Sequence, residues 1–305
     1  MSLTGGSLDQ NPPNADRHIS LGGTDWLWAV FAVMALSTVG MVVWSFMRPR
    51  GTRFFHNIAS IILATATIAY FSMASDLGAT PVRAEFSRGN TNTRQIWFVR
   101  YIQWFITFPL LLILLLFPSG LSLSDILTTG FFAWVAVVCG LVGALVPSTY
   151  KWGYFVMGVF ALFYIWTVLL GHGPRTTFNA GPGVRSGYVR GAGLVAFITM
   201  LYPIAWGVSE GGNVISPTGE MIWYGILDLI LGPLFLFYYV FALRNVDYGL
   251  FGFHSGKYSD GTYGGSAGYH NGVGGAGAGP ASNAAGTTAA APGMTTNNAA
   301  PATRV

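Results

Sequence analysis

The chain has 305 residues, of which 52% are hydrophobic, 15% aromatic and only 9% charged, with a mean hydropathy of +0.51. That balance excludes an ordinary water-soluble domain and marks an integral membrane protein. A net charge of +4 does not indicate nucleic-acid binding, because the arginines border apolar runs and form no basic face.

In chain order, Met1 to Gly23 is polar, carries Pro12-Pro13 and lacks the basic n-region and small-residue cleavage site of a secretory signal. Residues 1–24 are read as a polar extracellular segment, and the first apolar run, Trp26 to Met47, as a retained anchor. A bilayer crossing needs about 20 residues. Six further runs follow at Ile58 to Ala74, Trp97 to Phe117, Ile126 to Val146, Tyr154 to Leu170, Gly191 to Val208 and Met221 to Leu243. In lipid the backbone must satisfy its own hydrogen bonds, so each run is expected to be a helix. The fold class expected is an all-α membrane protein, a seven-helix bundle over residues 25–249.

Seven spans put the termini on opposite sides. Arg48, Arg50 and Arg53 after the first run, with Arg175, Arg185, Arg190 and Arg244 around the fifth-to-sixth loop and the last helix, assign those ends to the cytoplasm and the N-terminus to the outside. Arg83, Arg88 and Arg94 in the opposing loop reduce the contrast without reversing it. Residues 250–305 turn to Gly, Ala, Ser, Asn and Thr and are expected to form a disordered cytoplasmic tail. The single cysteine, Cys139, excludes an internal disulfide and a cysteine-built metal site, and is read as a small core residue. No metal site is expected.

Ionisable side chains at membrane depth are costly and need partners. Arg100 opens the third run, Asp228 lies within the seventh, and Asp76 ends the second. Arg100, Gln103, Trp104 and Thr107 share one helical stripe, as do Thr199, Tyr202, Pro203 and Trp206 on the sixth run. Such stripes face a bundle interior. Spacing alone leaves packing and a ligand pocket equally open.

The segments Arg100-Tyr-Ile-Gln103-Trp104-Phe-Ile-Thr107-Phe-Pro109, Leu201-Tyr202-Pro203-Ile-Ala-Trp206 and Ile222 to Leu236, with Tyr70-Phe-Ser-Met-Ala-Ser-Asp76-Leu-Gly and Ser148-Thr-Tyr-Lys-Trp-Gly-Tyr-Phe155, closely resemble the microbial (type 1) rhodopsins of fungi. The resemblance implies a buried polar network of Arg100, Gln103 and Asp228 with Tyr70 and Tyr202 as phenol donors to the carboxylate. It implies a residual pocket of Trp104, Thr107, Phe155, Thr199, Tyr202, Trp206 and Gly232. Glu210 and Glu220 match outer carboxylates of a proton-release region, although solvation at the lipid boundary explains them as well.

In that family the position of Gly232 is the lysine that holds retinal as a Schiff base. Only Lys151 and Lys257 exist in this chain, one at the outer end of the fifth run and one in the tail. Gln103 stands at the proton-accepting counterion and Leu114 at the internal proton donor, and neither side chain can take or return a proton. No covalent retinal and no other cofactor is expected. Arg100 and Asp228 are expected to persist as an interhelical clamp, and the void left at Gly232 to be filled by neighbours such as Leu231 and Phe108, the alternative being a non-covalent apolar ligand.

The chain is therefore similar to the lysine-lacking, heat-shock opsin-like branch of that family. What this implies is a multi-pass plasma-membrane protein that is not an enzyme, is stress-associated, and is chaperone-like or regulatory. The lipid bilayer is its surroundings, and a plasma-membrane proton ATPase is a candidate partner. The alternatives are a light-driven pump or photoreceptor, against which Gly232 argues, and a passive ion channel lined by Gln103, Thr107 and Asp228. A G-protein-coupled receptor is disfavoured by the lack of an acidic-Arg-Tyr motif, of Asn-Pro-x-x-Tyr and of a cysteine pair.

Overall fold

Each apolar run forms a helix, and in most cases the helix outlasts the run. In the computed structural model of the chain, which describes residues 6–49, 52–86, 92–177 and 182–244, seven helices are long and apolar enough to cross a membrane. They are α1 Leu21–Phe46, α2 Phe54–Ala74, α3 Phe98–Leu116, α4 Leu123–Leu145, α5 Lys151–Thr176, α6 Pro182–Trp206 and α7 Pro217–Ala242. The expected tail, with Lys257, and the residues Arg50 and Arg88 lie outside the described residues.

Capping chemistry fixes several starts. Ser20, Ser122 and Ser216 each accept a hydrogen bond from the backbone N–H three residues on, which satisfies one orphaned donor of the first turn. Pro217 occupies the first helical position of α7, where its missing N–H costs nothing. The polar stretch before Gly191 is helical as well, so α6 begins earlier than its hydropathy indicates.

Three helices carry one π-type turn each, at Val168–His172 in α5, Gly207–Gly211 following α6 and Ile230–Leu234 in α7. The last contains Pro233, and the widened register there accommodates the N–H that proline lacks. In α5 the Leu169 carbonyl accepts from the Tyr188 hydroxyl at 3.0 Å, a peg from α6. At the same end of the bundle Tyr239 of α7 donates to the Leu115 carbonyl of α3 at 3.1 Å.

Each helix packs on its sequence neighbour and α7 closes back on α1, forming a ring with Trp, Leu, Ile and Phe facing lipid outside. The interior end of α3 is apolar and sealed: Leu112, Leu114, Leu115 and Leu116 are wholly buried.

The other end of the bundle carries a cap. Strands β1 Thr80–Arg83 and β2 Thr93–Ile96 pair antiparallel, and the segment before α1 adds to the hairpin through a parallel bridge between Arg17 and Arg94. Arg17 N donates to Thr93 O at 3.0 Å, and Gln95 N donates to Arg17 O at 2.9 Å. Ile19 is wholly buried. The stretch expected as a polar extracellular segment is in this part an extended edge of the cap, because its alternate side chains, Ala15 and Ile19, pack down while its backbone bonds the hairpin edge. The turn from α2 into the hairpin needs left-handed backbone at Asp76 (φ 56°) and Gly78 (φ 83°). A Cβ on Gly78 would also stand 2.7 Å from Val99, so only glycine fits there.

Candidate functional site

Helix α7 presents Glu220, Tyr224, Asp228 and Gly232 at intervals of four residues, one above the next on a single face. Glu220, Tyr224 and Asp228 are buried to 2% exposure or less, and each meets a different set of partners.

At the Asp228 level the carboxylate accepts from Tyr70 of α2 at 2.6 Å and Tyr202 of α6 at 2.5 Å, one phenol on each oxygen. Gln103 Nε2 of α3 approaches at 3.4 Å. Hydrogen-bonding of this kind is what makes a buried carboxylate tolerable. The two phenols and the amide expected around Asp228 are therefore brought together. Thr107 is buried nearby with no partner for its hydroxyl.

The expected Arg100–Asp228 clamp is not what the structure builds. Arg100 lies one level further out, its guanidinium 3.5 Å from the ring centroid of Tyr224 and 3.5 Å from Glu210, while Tyr101 donates to the same glutamate. Placing the cation over an aromatic face and beside a carboxylate compensates its desolvation. Nor do Glu210 and Glu220 sit in solvent at the lipid boundary: they are 3% and 0% exposed. Glu220 is paired at 2.6 Å with Arg94, which reaches down from β2 and also donates to Asn213 Oδ1 and Ile215 O at 2.7 Å each. Lys151, at the start of α5, is buried with its Nζ against the backbone carbonyl of Glu210 at 3.3 Å and Glu85 at 3.7 Å.

Arg94, Tyr101, Tyr224 and Asn213 belong to this column and were not singled out from sequence. The four-residue spacing along α7 was a readable signal for Tyr224. Arg94 and Asn213 carry no helical signal, since Arg94 lies in the short strand β2 and Asn213 on the connection between α6 and α7.

The aromatic residues expected around the pocket also converge. Trp206 stacks on Phe155 at 5.1 Å and Trp104 meets Tyr202 edge-on at 4.9 Å. They line a cavity of about 120 Å³ between α3, α4, α5 and α6, which Thr199, Phe108 and Arg100 also border. Gly232 is not on its wall. It borders a separate space of about 20 Å³ with Gln103, Thr107, Asp228 and Leu231. A Cβ on Gly232 would lie 3.4 Å from Met34 Cε and 3.5 Å from its Sδ. The space beside Gly232 is thus taken up by Met34 of α1 together with Leu63 of α2, 3.8 Å from the same point, while the expected Leu231 borders the small space that remains and Phe108 lines the larger cavity.

A ring of seven apolar helices closed around a buried arginine, carboxylate and tyrosine column defines an opsin-type membrane protein. The chain belongs to the bacteriorhodopsin-like proteins, whose family model, "Bacteriorhodopsin-like protein", matches residues 22–243. It is similar to Protein FDD123 of Trametes versicolor, at 65% identity over 83% of this chain and 89% of that one. It is similar also to the opsin-like protein carO of Fusarium fujikuroi, at 46% identity and 78% of each chain. The 30 kDa heat shock protein of Saccharomyces cerevisiae is 35% identical over 78% of this chain and 77% of that one. Among solved structures, the light-driven proton pump Coccomyxa subellipsoidea rhodopsin CsR superposes with a TM-score of 0.71 at 32% identity, covering 74% of this chain and 98% of that one. The expected fungal opsin relationship and the seven-helix bundle are borne out.

Proposed function

We propose that this protein is an opsin-fold membrane protein that holds no covalent retinal and acts by binding other membrane components, as a stress-associated chaperone-like or regulatory protein and not as an enzyme. The observation that carries this reading is Gly232 under Met34. An imine needs a primary amine at that level, and the residues present do not fit it: among the described residues the one lysine, Lys151, is engaged at the end of the bundle with Glu85. Gln103 beside Asp228 and the wholly buried Leu114 remove the other two stations of a proton path.

A passive channel is poorly supported for a related reason. The polar column runs from Glu220 to Asp228, and beyond it α3 offers Leu111, Leu112, Leu114 and Leu115, all buried. Along that stretch of α3 these leucines give an ion nothing to replace its hydration.

The stress assignment draws on likeness to the 30 kDa heat shock protein. The N-terminus and hairpin cap are assigned to the extracellular side of the plasma membrane, with Arg48, Arg53, Arg175, Arg185, Arg190 and Arg244 on the cytoplasmic side. The plasma-membrane proton ATPase is the partner to test first. Cells with and without the gene, compared after heat shock for abundance of the protein and for ATP hydrolysis by plasma-membrane fractions, are expected to show rising abundance and a gene-dependent change in hydrolysis. Unchanged abundance and identical hydrolysis would contradict the assignment.

A further inference from the structure

Helix α6 carries an arginine on its outer face. Ser186, Arg190, Gly193 and Phe197 fall at i, i+4, i+7 and i+11, one stripe along the helix. Phe197 and, two turns further on, Ile204 are exposed to lipid, and Ser186 and Arg190 are exposed on the same stripe. The next residue fixes the depth. A Cβ on Gly191 would stand 3.1 Å from Tyr239 of α7 and 3.2 Å from Leu115 of α3, so Arg190 is level with a part of α7 that still shows Tyr238 and Phe241 to lipid. A charged group at the hydrocarbon edge needs a counter-charge, and none of the ion pairs among the described residues uses Arg190. One turn further in, a Cβ on Gly193 would meet nothing within 4 Å, which leaves the stripe without a side chain between Arg190 and Phe197.

The charge around the stripe is one-sided. The helices alternate in direction, so the ends of α1, α3, α5 and α7 share one end of the bundle with the starts of α2, α4 and α6. Among the described residues that end has six arginines, Arg48, Arg53, Arg175, Arg185, Arg190 and Arg244, against one carboxylate, Asp125. The Ser122 hydroxyl already bonds that carboxylate at 2.7 Å. The opposite end holds seven carboxylates against five basic side chains among the described residues. Arg53 and Arg244 donate to carbonyls at helix ends, whereas Arg190 lies in the body of α6, where the helix itself uses the carbonyls. Helix capping explains the first two and not the third.

We propose that Ser186, Arg190 and Gly193 form a binding site for one anionic phospholipid, its phosphate on Arg190 and Ser186 and an acyl chain laid over Gly193 against Phe197. A guanidinium meets a phosphate with two parallel N–H···O bonds. Its stem lies along the apolar helix surface while its head reaches the headgroup layer, and the arginine-rich rim favours an anionic headgroup over a zwitterionic one. The site goes beyond the function proposed above and does not rest on it.

The test uses the full-length protein in nanodiscs of phosphatidylcholine with a minority of phosphatidylserine, and native mass spectrometry counts the lipids each protein ion retains. The wild-type protein is expected to retain phosphatidylserine in preference to phosphatidylcholine after correction for abundance. Arg190→Gln is expected to weaken that retention about fivefold, the effect of one arginine at an anionic surface. Gly193→Leu leaves every charge in place and is expected to weaken it by crowding the acyl chain. Both are surface changes, so melting is expected to stay cooperative. Arg83→Gln, in β1 at the opposite end, is expected to change nothing, and excess inorganic phosphate, which has no chain, to leave the lipid in place. Equal retention of the two lipids by the wild-type protein, undiminished retention in Arg190→Gln or in Gly193→Leu, an equal loss in Arg83→Gln, or displacement by inorganic phosphate would each overturn the proposal.

Discussion

Met34 stands over Gly232, its Cε 3.4 Å from the place a Cβ at 232 would take. The methionine thioether is unbranched and adaptable, the kind of side chain that fills an irregular gap. At the level where the resemblance places a lysine, α7 carries glycine and Met34 of α1 occupies the space beside it.

This relationship predicts that restoring the amine is insufficient. Gly232→Lys given all-trans retinal is expected to form little pigment, because the new chain and Met34 compete for one volume. Gly232→Lys with Met34→Ala is expected to form severalfold more, read as visible absorbance. Equal pigment yields from the two variants would show that Met34 is not the obstacle.

Asp228 is held by two phenols on its two oxygens. Asp228→Asn keeps the shape but offers an amide N–H₂ where one phenol donates, so one buried donor pair is mismatched. We expect a stability loss of about 1–3 kcal/mol, seen as a lower melting temperature in detergent. An unchanged melt would remove the structural role given to the carboxylate.

Arg94 and Glu220 form an ion pair at 2.6 Å with 2% and 0% side-chain exposure, joining the hairpin cap to α7. Removing one partner strands a buried charge, so Arg94→Met is expected to cost about 3–5 kcal/mol, and Arg94→Met with Glu220→Leu much less. Thermal melting of the single and double variants checks this. Additive losses would mean that the pair is not coupled.

Outside the membrane, two carboxylates give the cap opposite pH behaviour. The backbone N–H groups of Asn92 and Thr93 and the Thr93 hydroxyl hold the Asp16 carboxyl below its usual range. Its contribution to stability is present above the unfolded-state value and is lost as pH falls through the folded one. Burial raises the Asp76 carboxyl, partly offset by the Gln95 amide. For Asp76 the neutral form is favoured in the fold, so its contribution is full at low pH and is lost as pH rises through the raised value. Asp76→Asn keeps the acceptor for Gln95 and tolerates the left-handed backbone at φ 56°. It is therefore expected to melt higher than the wild-type protein at pH 7, with the difference vanishing below about pH 4.

Much of the fold was legible in the residues because a bilayer leaves an apolar run of that length few choices. Gln103 and Tyr202 were legible too, since each lies on a stripe that must face inward, whereas Tyr70 came only from the resemblance to fungal rhodopsins. Three things were not legible. The extended stretch around Arg17 reads only as a polar segment because its bridge partner in β2, Arg94, is nearly eighty residues away and only tertiary pairing reveals it. The pairing of Arg100 with Glu210 in place of Asp228 depends on which level of the column each helix reaches, and a difference of one turn, about 5.4 Å, decides it. The role of Met34 depends on the α1–α7 contact, which no local pattern encodes. Where spacing along one helix decided the matter the sequence could be read; where the closing of the ring decided it, the sequence could not.

The bundle carries glycine, not lysine, at position 232, and the most direct measurement of what that means is a retinal-reconstitution assay on the purified full-length protein. Incubation with all-trans retinal followed by borohydride and peptide mass spectrometry is expected to show no visible band and no reduced retinyl adduct on any membrane-spanning peptide. A visible band whose reduction leaves retinyl mass on such a peptide would contradict the account.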